Sequence, residues 1–275
     1  YQAAYQKKVG NLELLKALQD LLKQQGYMDE LIKSYRQEIA LSPEDGEKIS
    51  IYERIIEIYQ KQKKIRETAS VYEEILKQFP GHHRSIQELK ALYLMLEDYP
   101  QLILTMQREI ALHPSSLENI PLYLKIAEVL IEKMGKEEEA IVYYHKAIEL
   151  DASLLEVWNK LYEYYKRMER YPSLIQTLEH IVRLDPRREE EGLVEIAALY
   201  FEKLRDLQKA IESFLRVLKV NSHNLIAINA LSSIYKSQKA WDAYIDIMQK
   251  RVALCMQTQE DRKSTRLNSS HVSQS

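Results

Sequence analysis

Apolar residues along most of the chain are spaced as on one face of an α-helix. The clearest stripe contains Leu154, Trp158, Leu161 and Tyr165, and separations of three and four residues place them on a single helical face. Glycine and proline are scarce, at 6 and 7 of 275 residues, so turn-rich β architectures are disfavoured. The pattern predicts an all-α protein.

One phrase recurs with a period of 34 to 38 residues. It reads Tyr-Arg-Gln-Glu-Ile-Ala-Leu-Ser-Pro at 35–43, Met-Gln-Arg-Glu-Ile-Ala-Leu-His-Pro at 106–114 and Tyr-His-Lys-Ala-Ile-Glu-Leu-Asp-Ala at 144–152, with looser copies at 72–80, 178–186 and 214–222. Proline lacks a backbone N–H and clashes with the preceding turn, so each closing position is expected to end a helix. These positions are 37, 34, 38, 34 and 36 residues apart: Pro43, Pro80, Pro114, Ala152, Pro186 and Ser222.

Each repeat also holds an earlier apolar stripe, so one unit is predicted to be two helices joined by a tight turn. Two such helices cannot bury both of their apolar faces alone, and an array of stacked units is therefore expected. The turns are marked by Gly26-Tyr27, Tyr99-Pro100, Gly135-Lys136, Tyr171-Pro172 and Arg205-Asp206. About seven units are predicted, at 11–44, 45–81, 82–115, 116–152, 153–187, 188–222 and 223–256.

The two ends of the chain differ from this array. Residues 1–10 are predicted to be the end of a truncated preceding repeat, and 257–275 to be a disordered or artefactual tail. Residues 261–271 resemble a translated sequencing adapter, the alternative being a genuine serine-rich tail. The expectation is a fragment of a longer protein, whose cellular location the sequence does not indicate.

The period and the residue types resemble the tetratricopeptide repeat. The fourth unit carries that family's pattern in its second helix, at Gly135, Ala140, Tyr144 and Ala147. The fifth unit matches in its first helix, through Trp158, Leu161 and Tyr165, and closes on Pro186; the sixth has Ala210 and Phe214. The small residues of the family are replaced in other units by Leu31, Thr68, Leu102 and Leu174. Over residues 1–256 the resemblance implies a right-handed α-solenoid whose first helices line a concave groove, and it implies protein–protein interaction.

The groove face can be projected from the helical phase. Residues opposite the packed stripe are Lys16, Glu53, Glu57, Lys125, Glu156, Asn159, Glu163, Glu195 and Glu202. Five of them are predicted to contact a partner: Lys125, Glu156, Asn159, Glu163 and Glu195. The predicted function is a scaffold or adaptor that takes a peptide or helix of a partner protein. The alternative is the recruiting arm of a larger enzyme, transporter accessory or envelope protein.

Two other uses of such a groove are disfavoured. RNA-reading solenoids need a positive groove, whereas the projected residues are mostly acidic and the formal net charge is −2. No nucleic acid is therefore expected. Some co-chaperones of this family hold a carboxylate with Lys, Asn and Arg; Lys125 and Asn159 fit that set, but Val129, Gly192 and Glu195 occupy positions that need polar or basic groups.

The sequence contains few motifs that indicate catalysis, cofactor binding or metal binding. It has no glycine-rich phosphate loop, and the adjacent pair His82-His83 suits a turn better than a metal site. Ser233 and Lys236 have the spacing of some acyl-transfer enzymes, but the companion motifs are missing. No catalytic residue, cofactor or metal is predicted, and the chain is not expected to be an enzyme.

Two further properties concern surfaces. No apolar run reaches the roughly 18 residues of a membrane span, so no span is predicted. The last helix carries a wide apolar face, through Trp241, Tyr244, Ile245, Met248, Val252 and Cys255. Self-association through such uncovered terminal repeats is a further expectation.

Overall fold

A computed structural model describes residues 12–253, and every regular element in that range is a helix. The predictions for 1–10 and 257–275, including the adapter resemblance, lie outside the described residues. The chain divides into two compact units, with the boundary between Lys146 and Ala147. None of the described helices has the length and apolar character needed to cross a membrane.

The first unit contains three complete helical hairpins and part of a fourth. Its helices are α1 (Leu12–Gln25), α2 (Met28–Leu41), α3 (Asp45–Lys61), α4 (Ile65–Gln78), α5 (His83–Met95), α6 (Tyr99–Leu112), α7 (Ile120–Glu132) and the start of α8 (Glu137–Leu150). From α1 to α7, consecutive helices pack against each other. This neighbour-to-neighbour packing is the arrangement of a repeat array.

The second unit begins within α8 and repeats the same hairpin. Its helices are α9 (Leu155–Arg167), α10 (Tyr171–Leu184), α11 (Glu189–Ala198), α12 (Leu207–Val220), α13 (Leu225–Ser237) and α14, which covers 241–253. Helices α9 to α13 again pack in sequence order. The all-α class and the repeated hairpin predicted from the sequence are thereby confirmed.

Five tyrosines form part of the core. Tyr35, Tyr72, Tyr93, Tyr144 and Tyr165 are all less than a tenth exposed. Leucine and threonine replace small residues at Leu31, Thr68, Leu102 and Leu174, and these side chains are buried as well. The predicted prolines lie just past the ends of α2, α4, α6 and α10, as a residue without an N–H requires.

The turns inside the hairpins share one backbone conformation. Seven described residues have positive φ, between 53° and 79°, and each lies where a hairpin's first helix ends. Two are glycines; the full set is Gly26, Lys63, Glu97, Gly135, Glu169, Arg205 and Lys239. Each turn closes with a bond back into the helix, such as Asp98 N–H to the Tyr93 carbonyl at 2.9 Å.

Two turn assignments from the sequence were two positions late. Tyr99-Pro100 and Tyr171-Pro172 open α6 and α10 rather than forming the connections. The fixed φ of proline suits the first turn of a helix, where its missing N–H costs nothing. The turn before α6 is instead made by Glu97, and Asp98 caps that helix by accepting from Gln101 N–H at 3.3 Å.

Ion pairs connect the second helices of successive hairpins. In the first unit Arg36 on α2 pairs with Glu74 on α4 at 2.7 Å, and Arg108 on α6 pairs with Glu73 on α4 at 2.6 Å. In the second unit Arg216 on α12 pairs with Glu179 on α10 at 2.6 Å. The partners are one repeat apart, so the helical register brings them together.

The sixth repeat has two local adjustments. An ideal Cβ built on Gly192 in α11 would lie 2.5 Å from Val182 Cγ2 in α10, so the two helices approach closely at that point. Beyond α11 the chain makes a π-helical turn at Leu199–Lys203. Glu189, Glu190 and Glu191 open α11, where negative charge complements the helix dipole.

Candidate functional site

A cleft of about 590 Å³ lies between α1, α2 and α3 of the first unit. Helices α1 and α3 are the first helices of successive hairpins and form its walls, while α2 forms its floor. The lining residues are Lys16, Gln19, Asp20, Lys23, Met28, Leu31, Tyr35, Arg54, Glu57, Ile58, Lys61 and Gln62.

The floor of the cleft is apolar. Leu31 and Tyr35 are buried, and Met28 and Ile58 are half-buried at its edges. The Arg54 guanidinium lies 5.9 Å from the centre of the Tyr35 ring, within range of a cation–π interaction. Burial raises the pKa of the Tyr35 phenol, although the charge of Arg54 acts in the opposite direction. This phenol is therefore neutral at ordinary pH.

A buried hydrogen bond holds α1 against α2 beside the cleft. Gln19 Nε2 donates to Glu38 Oε2 at 2.8 Å, and both side chains are about 95% buried. Leaving either polar group without its partner would cost roughly 1–3 kcal/mol. The bond therefore fixes one wall relative to the floor.

The walls carry more positive than negative groups. Four cations, Lys16, Lys23, Arg54 and Lys61, face two carboxylates, those of Asp20 and Glu57. Across residues 12–253, no ion pair joins any of these four cations to a carboxylate. Two carboxylates of neighbouring helix positions have other partners: Glu38 accepts from Gln19, and Glu53 pairs with Arg84.

Lys125, predicted as a partner contact in the first unit, lies on α7 and not in the cleft. Its side chain is about half exposed, and Nζ pairs with Glu128 Oε2 on the same helix at 2.9 Å. Exposed pairs of this kind contribute little to stability. The side chain is therefore accessible to another molecule at small cost.

In the second unit, two predicted contacts are engaged within the protein. Asn159 Oδ1 on α9 accepts from Arg188 Nη1 at 3.0 Å. Glu195 on α11 accepts from the Tyr162 hydroxyl at 2.8 Å and pairs with Lys166 at 3.2 Å. Both residues link α9 to the following hairpin, a role that the helical phase did not reveal.

The other two predicted contacts of the second unit are on the surface of α9. The Glu156 side chain is 82% exposed and pairs with Lys160 one turn later at 3.1 Å. Glu163 is also exposed. Both carboxylates are free to reorganise.

The positions projected from the sequence onto the groove face include only some of the residues that line the cleft. Lys16 and Glu57 were assigned to the groove face and do line it, whereas Glu53 pairs with Arg84. Lys23 and Lys61 were missed, although one signal was available. Asp20 and Glu57 are 37 residues apart, the local period, and each has a cation about one turn before and after it.

No metal site is evident in the part of the chain that the structure describes, where no three His, Cys, Asp or Glu side chains cluster suitably. His82 instead caps α5, because its Nδ1 accepts from Ser85 N–H at 3.4 Å. Of the pair predicted to lie in a turn, His82 precedes α5, whereas His83 is the first residue of that helix.

Comparison with known families identifies two of the hairpins directly. Profiles described as tetratricopeptide repeat match residues 14–49 and 120–154. The first match contains α1 and α2, which form one wall and the floor of the cleft, and the second contains α7 and α8. No curated protein matches the chain.

Several solved structures are similar to the chain. MamA is 15% identical, with 62% of this chain and 97% of MamA covered and a TM-score of 0.36. YrrB, described as a TPR protein with an unusual peptide-binding site, is 15% identical, with 66% and 90% covered and a TM-score of 0.33. A tetratricopeptide repeat protein from Parabacteroides merdae is 14% identical, with 88% and 92% covered and a TM-score of 0.33.

The matched repeats share their length and helical order with the other described hairpins. Proteins built from such repeats generally serve as non-catalytic scaffolds for protein interaction. The chain therefore contains tetratricopeptide repeats, matched at residues 14–49 and 120–154.

Proposed function

We propose that this chain is a scaffold that binds a peptide or a short helix of a partner protein along the first helices of its hairpins. The observation that carries the proposal is the cleft between α1, α2 and α3, which combines an apolar floor with charged walls. Its volume of about 590 Å³ falls within the roughly 300–1,000 Å³ typical of ligand sites. Apolar side chains of a bound segment would fill the floor while the walls fix its orientation.

The predicted contacts outside the cleft extend this surface within each unit. Lys125 contributes in the first unit, and Glu156 and Glu163 contribute in the second, because their side chains are exposed. Asn159 and Glu195 already have internal partners, so binding through them requires exchange of a hydrogen bond. Alanine replacement of Glu163 should therefore weaken binding without loss of stability, whereas replacement of Glu195 should reduce both.

Self-association is supported by a separate observation. Trp241, Ile245 and Val252 on α14 are each at least half exposed and lie along the helix at multiples of about one turn. A second copy of the chain would bury this stripe. Sedimentation velocity should show association that the double substitution Trp241→Ser and Ile245→Ser abolishes; an unchanged distribution would contradict this role.

Peptide binding can be tested by selection from a random peptide library displayed on phage, with the full chain as bait. A selected peptide is then titrated calorimetrically into the wild type and into Ile58→Trp, which fills the cleft from its edge. Leu94→Trp is the matched control, since Leu94 is exposed on α5 and does not line the cleft. The proposal requires loss of binding in Ile58→Trp alone; equal binding by both variants would refute it.

A further inference from the structure

We infer that a second cavity of the first unit, between the second helices α2 and α4, binds a phosphate monoester. Its volume is about 410 Å³, and it shares no lining residue with the cleft between α1, α2 and α3. Phosphate binding here is thus independent of peptide binding in the cleft. The lining residues are Arg36, Ile39, Ala40, Ser42, Lys48, Tyr52, Glu74 and Gln78.

Three helices bring polar groups to this cavity. Helix α2 supplies Arg36, and α4, one repeat later, supplies Glu74 and Gln78. Helix α3 packs against both of them and supplies Lys48 and Tyr52 from its first half. Three of these five side chains have hydrogen-bond donors that the protein itself leaves unused or weakly used.

The first such donor is the hydroxyl of Tyr52. The Tyr52 side chain is only 3% exposed, and its hydroxyl accepts from Gln78 Nε2 at 3.0 Å but donates to no acceptor within residues 12–253. Burial raises the pKa of the Tyr52 phenol and the charge of Glu74 raises it further, while Arg36 acts in the opposite direction. The phenol therefore keeps its proton at ordinary pH and can donate it to an oxygen of a ligand.

The second donor is the guanidinium of Arg36. Its Nη2 pairs with Glu74 Oε1 at 2.7 Å, and no other acceptor in the described part of the chain bonds to it. A guanidinium carries five N–H groups in a planar fork that matches the oxygens of a phosphate. Arg36 can therefore hold Glu74 and a second anion at the same time.

The third donor is the ammonium of Lys48, whose side chain is largely buried. It is 24% exposed, and Nζ lies 3.4 Å from Asp45 Oδ1 one turn earlier on α3. Asp45 is itself 71% exposed, so this contact compensates little of the cost of burying the cation. An anion in the cavity would compensate more of it.

A phosphate monoester matches these three donors better than a carboxylate does. It carries a charge of about −1.5 to −2 at pH 7 and three strong acceptor oxygens. Arg36, Lys48 and Tyr52 can therefore each have an oxygen of their own. A carboxylate has only two oxygens and one charge, and Glu74 already supplies one carboxylate to the cavity.

The cavity also has room for the organic group that the phosphate is attached to. Its volume falls within the roughly 300–1,000 Å³ typical of ligand sites, and Ile39 and Ala40 add an apolar wall. The organic group belongs either to a phosphorylated serine of a partner protein or to a free phosphorylated small molecule. Both present the same phosphate to the three donors, so the test distinguishes them.

The test is isothermal titration calorimetry of the full chain in a phosphate-free buffer. Three probes are compared: O-phosphoserine, a nine-residue peptide with a central phosphoserine, and the same peptide with serine. Both phosphorylated probes should bind, and the serine peptide should bind at least tenfold more weakly than the phosphopeptide. A phosphopeptide at least tenfold tighter than O-phosphoserine identifies a partner protein as the source; equal or weaker affinity identifies a small molecule.

Variants place the phosphate at the three donors. Lys48→Gln should weaken O-phosphoserine at least tenfold, and Tyr52→Phe, which removes one donor with little change of shape, at least threefold. Lys33→Gln, at an exposed position of α2 outside the cavity, is the matched control and should bind as the wild type does. Circular dichroism of the variants checks that they fold.

Ile58→Trp separates this cavity from the cleft, because Ile58 lines only the cleft. It should leave the affinity for O-phosphoserine unchanged. Three results would overturn phosphate binding in the cavity: no heat from either phosphorylated probe at millimolar concentration, equal affinity for the two peptides, or loss of binding in Ile58→Trp but not in Lys48→Gln. Peptide capture by the cleft is judged on the library-selected peptides and is unaffected by these results.

Discussion

The hydroxyl of Tyr162 donates to both carboxylate oxygens of Glu195, at 2.8 and 3.0 Å. Tyr162 lies on α9 and Glu195 on α11, so the bond joins the first helices of two successive hairpins. Lys166 donates to the same hydroxyl and pairs with the same carboxylate at 3.2 Å. This network stabilises the stack and limits what Glu195 can offer to a partner.

Two neighbouring tyrosines should respond oppositely to removal of the hydroxyl. Tyr162→Phe should lower the free energy of unfolding by about 1–2 kcal/mol, because Glu195 and Lys166 lose a partner. The Tyr164 hydroxyl is buried without a hydrogen bond, so Tyr164→Phe should leave stability unchanged or raise it. Urea denaturation followed by circular dichroism measures both; a larger loss in Tyr164→Phe would contradict the hydrogen-bond assignment.

The pair between Glu179 and Arg216 predicts a pH dependence of stability. The hydrogen bonds from Arg216, at 2.6 and 3.0 Å, lower the pKa of the Glu179 carboxyl from its ordinary 4.5. Since the folded-state pKa is the lower one, the pair stabilises the protein above about pH 4.5, and this stability is lost as the pH falls through the folded-state pKa.

Glu179→Gln should therefore lower the midpoint of thermal unfolding at pH 7 and flatten its decline between pH 5 and 3. Glu163→Gln, an exposed carboxylate on α9, is the control and should retain the wild-type pH profile. An unaltered acid limb in Glu179→Gln would show that the ion pair does not contribute.

The turns with positive φ predict which substitutions stabilise the protein and which destabilise it. Glu97 has φ of 54° and is exposed, so Glu97→Gly should stabilise the protein by about 1 kcal/mol by removing the steric conflict of Cβ. Gly135→Ala, at φ of 65°, should destabilise it by a similar amount. Gly46→Ala is the control for propensity: nothing lies near its Cβ and it is helical, so it should stabilise.

The close approach at Gly192 predicts a coupled pair. Gly192→Ala should cost about 1–3 kcal/mol, because the new methyl group overlaps Val182 Cγ2 at 2.5 Å. Adding Val182→Ala removes the clash, so the double variant should lose less than the sum of the two single losses. Strict additivity in denaturant titrations would rule out the contact.

The sequence predicted the parts of the fold that depend on local pattern. Apolar spacing and the closing prolines located the helices, since each of these signals depends only on residues close together in the sequence. Three consecutive glutamates stand at the start of α8 and of α11, where negative charge complements the helix dipole. Turn positions were less exact, because Lys63 and Glu97 adopt a conformation that favours glycine without containing one.

The candidate site was harder to predict because it depends on register between helices. Phase placed Glu195 on the groove face but could not show that Tyr162 and Lys166 reach it from α9. Likewise Lys23 and Lys61 belong to different hairpins, and they share a cleft only because α1 and α3 flank the same floor. Contacts between repeats are made by long side chains that reach from one hairpin to the next, and the helical position of each residue alone does not predict them.

The central claim is that a partner segment binds in the cleft between α1, α2 and α3. Amide hydrogen exchange of the full chain, with and without a library-selected peptide at saturation, tests it most directly. The account predicts slowed exchange in α1 and α3, whose side chains form the walls, with little change in α5 and α6. Protection confined to α5 and α6, or to the second unit alone, would contradict it.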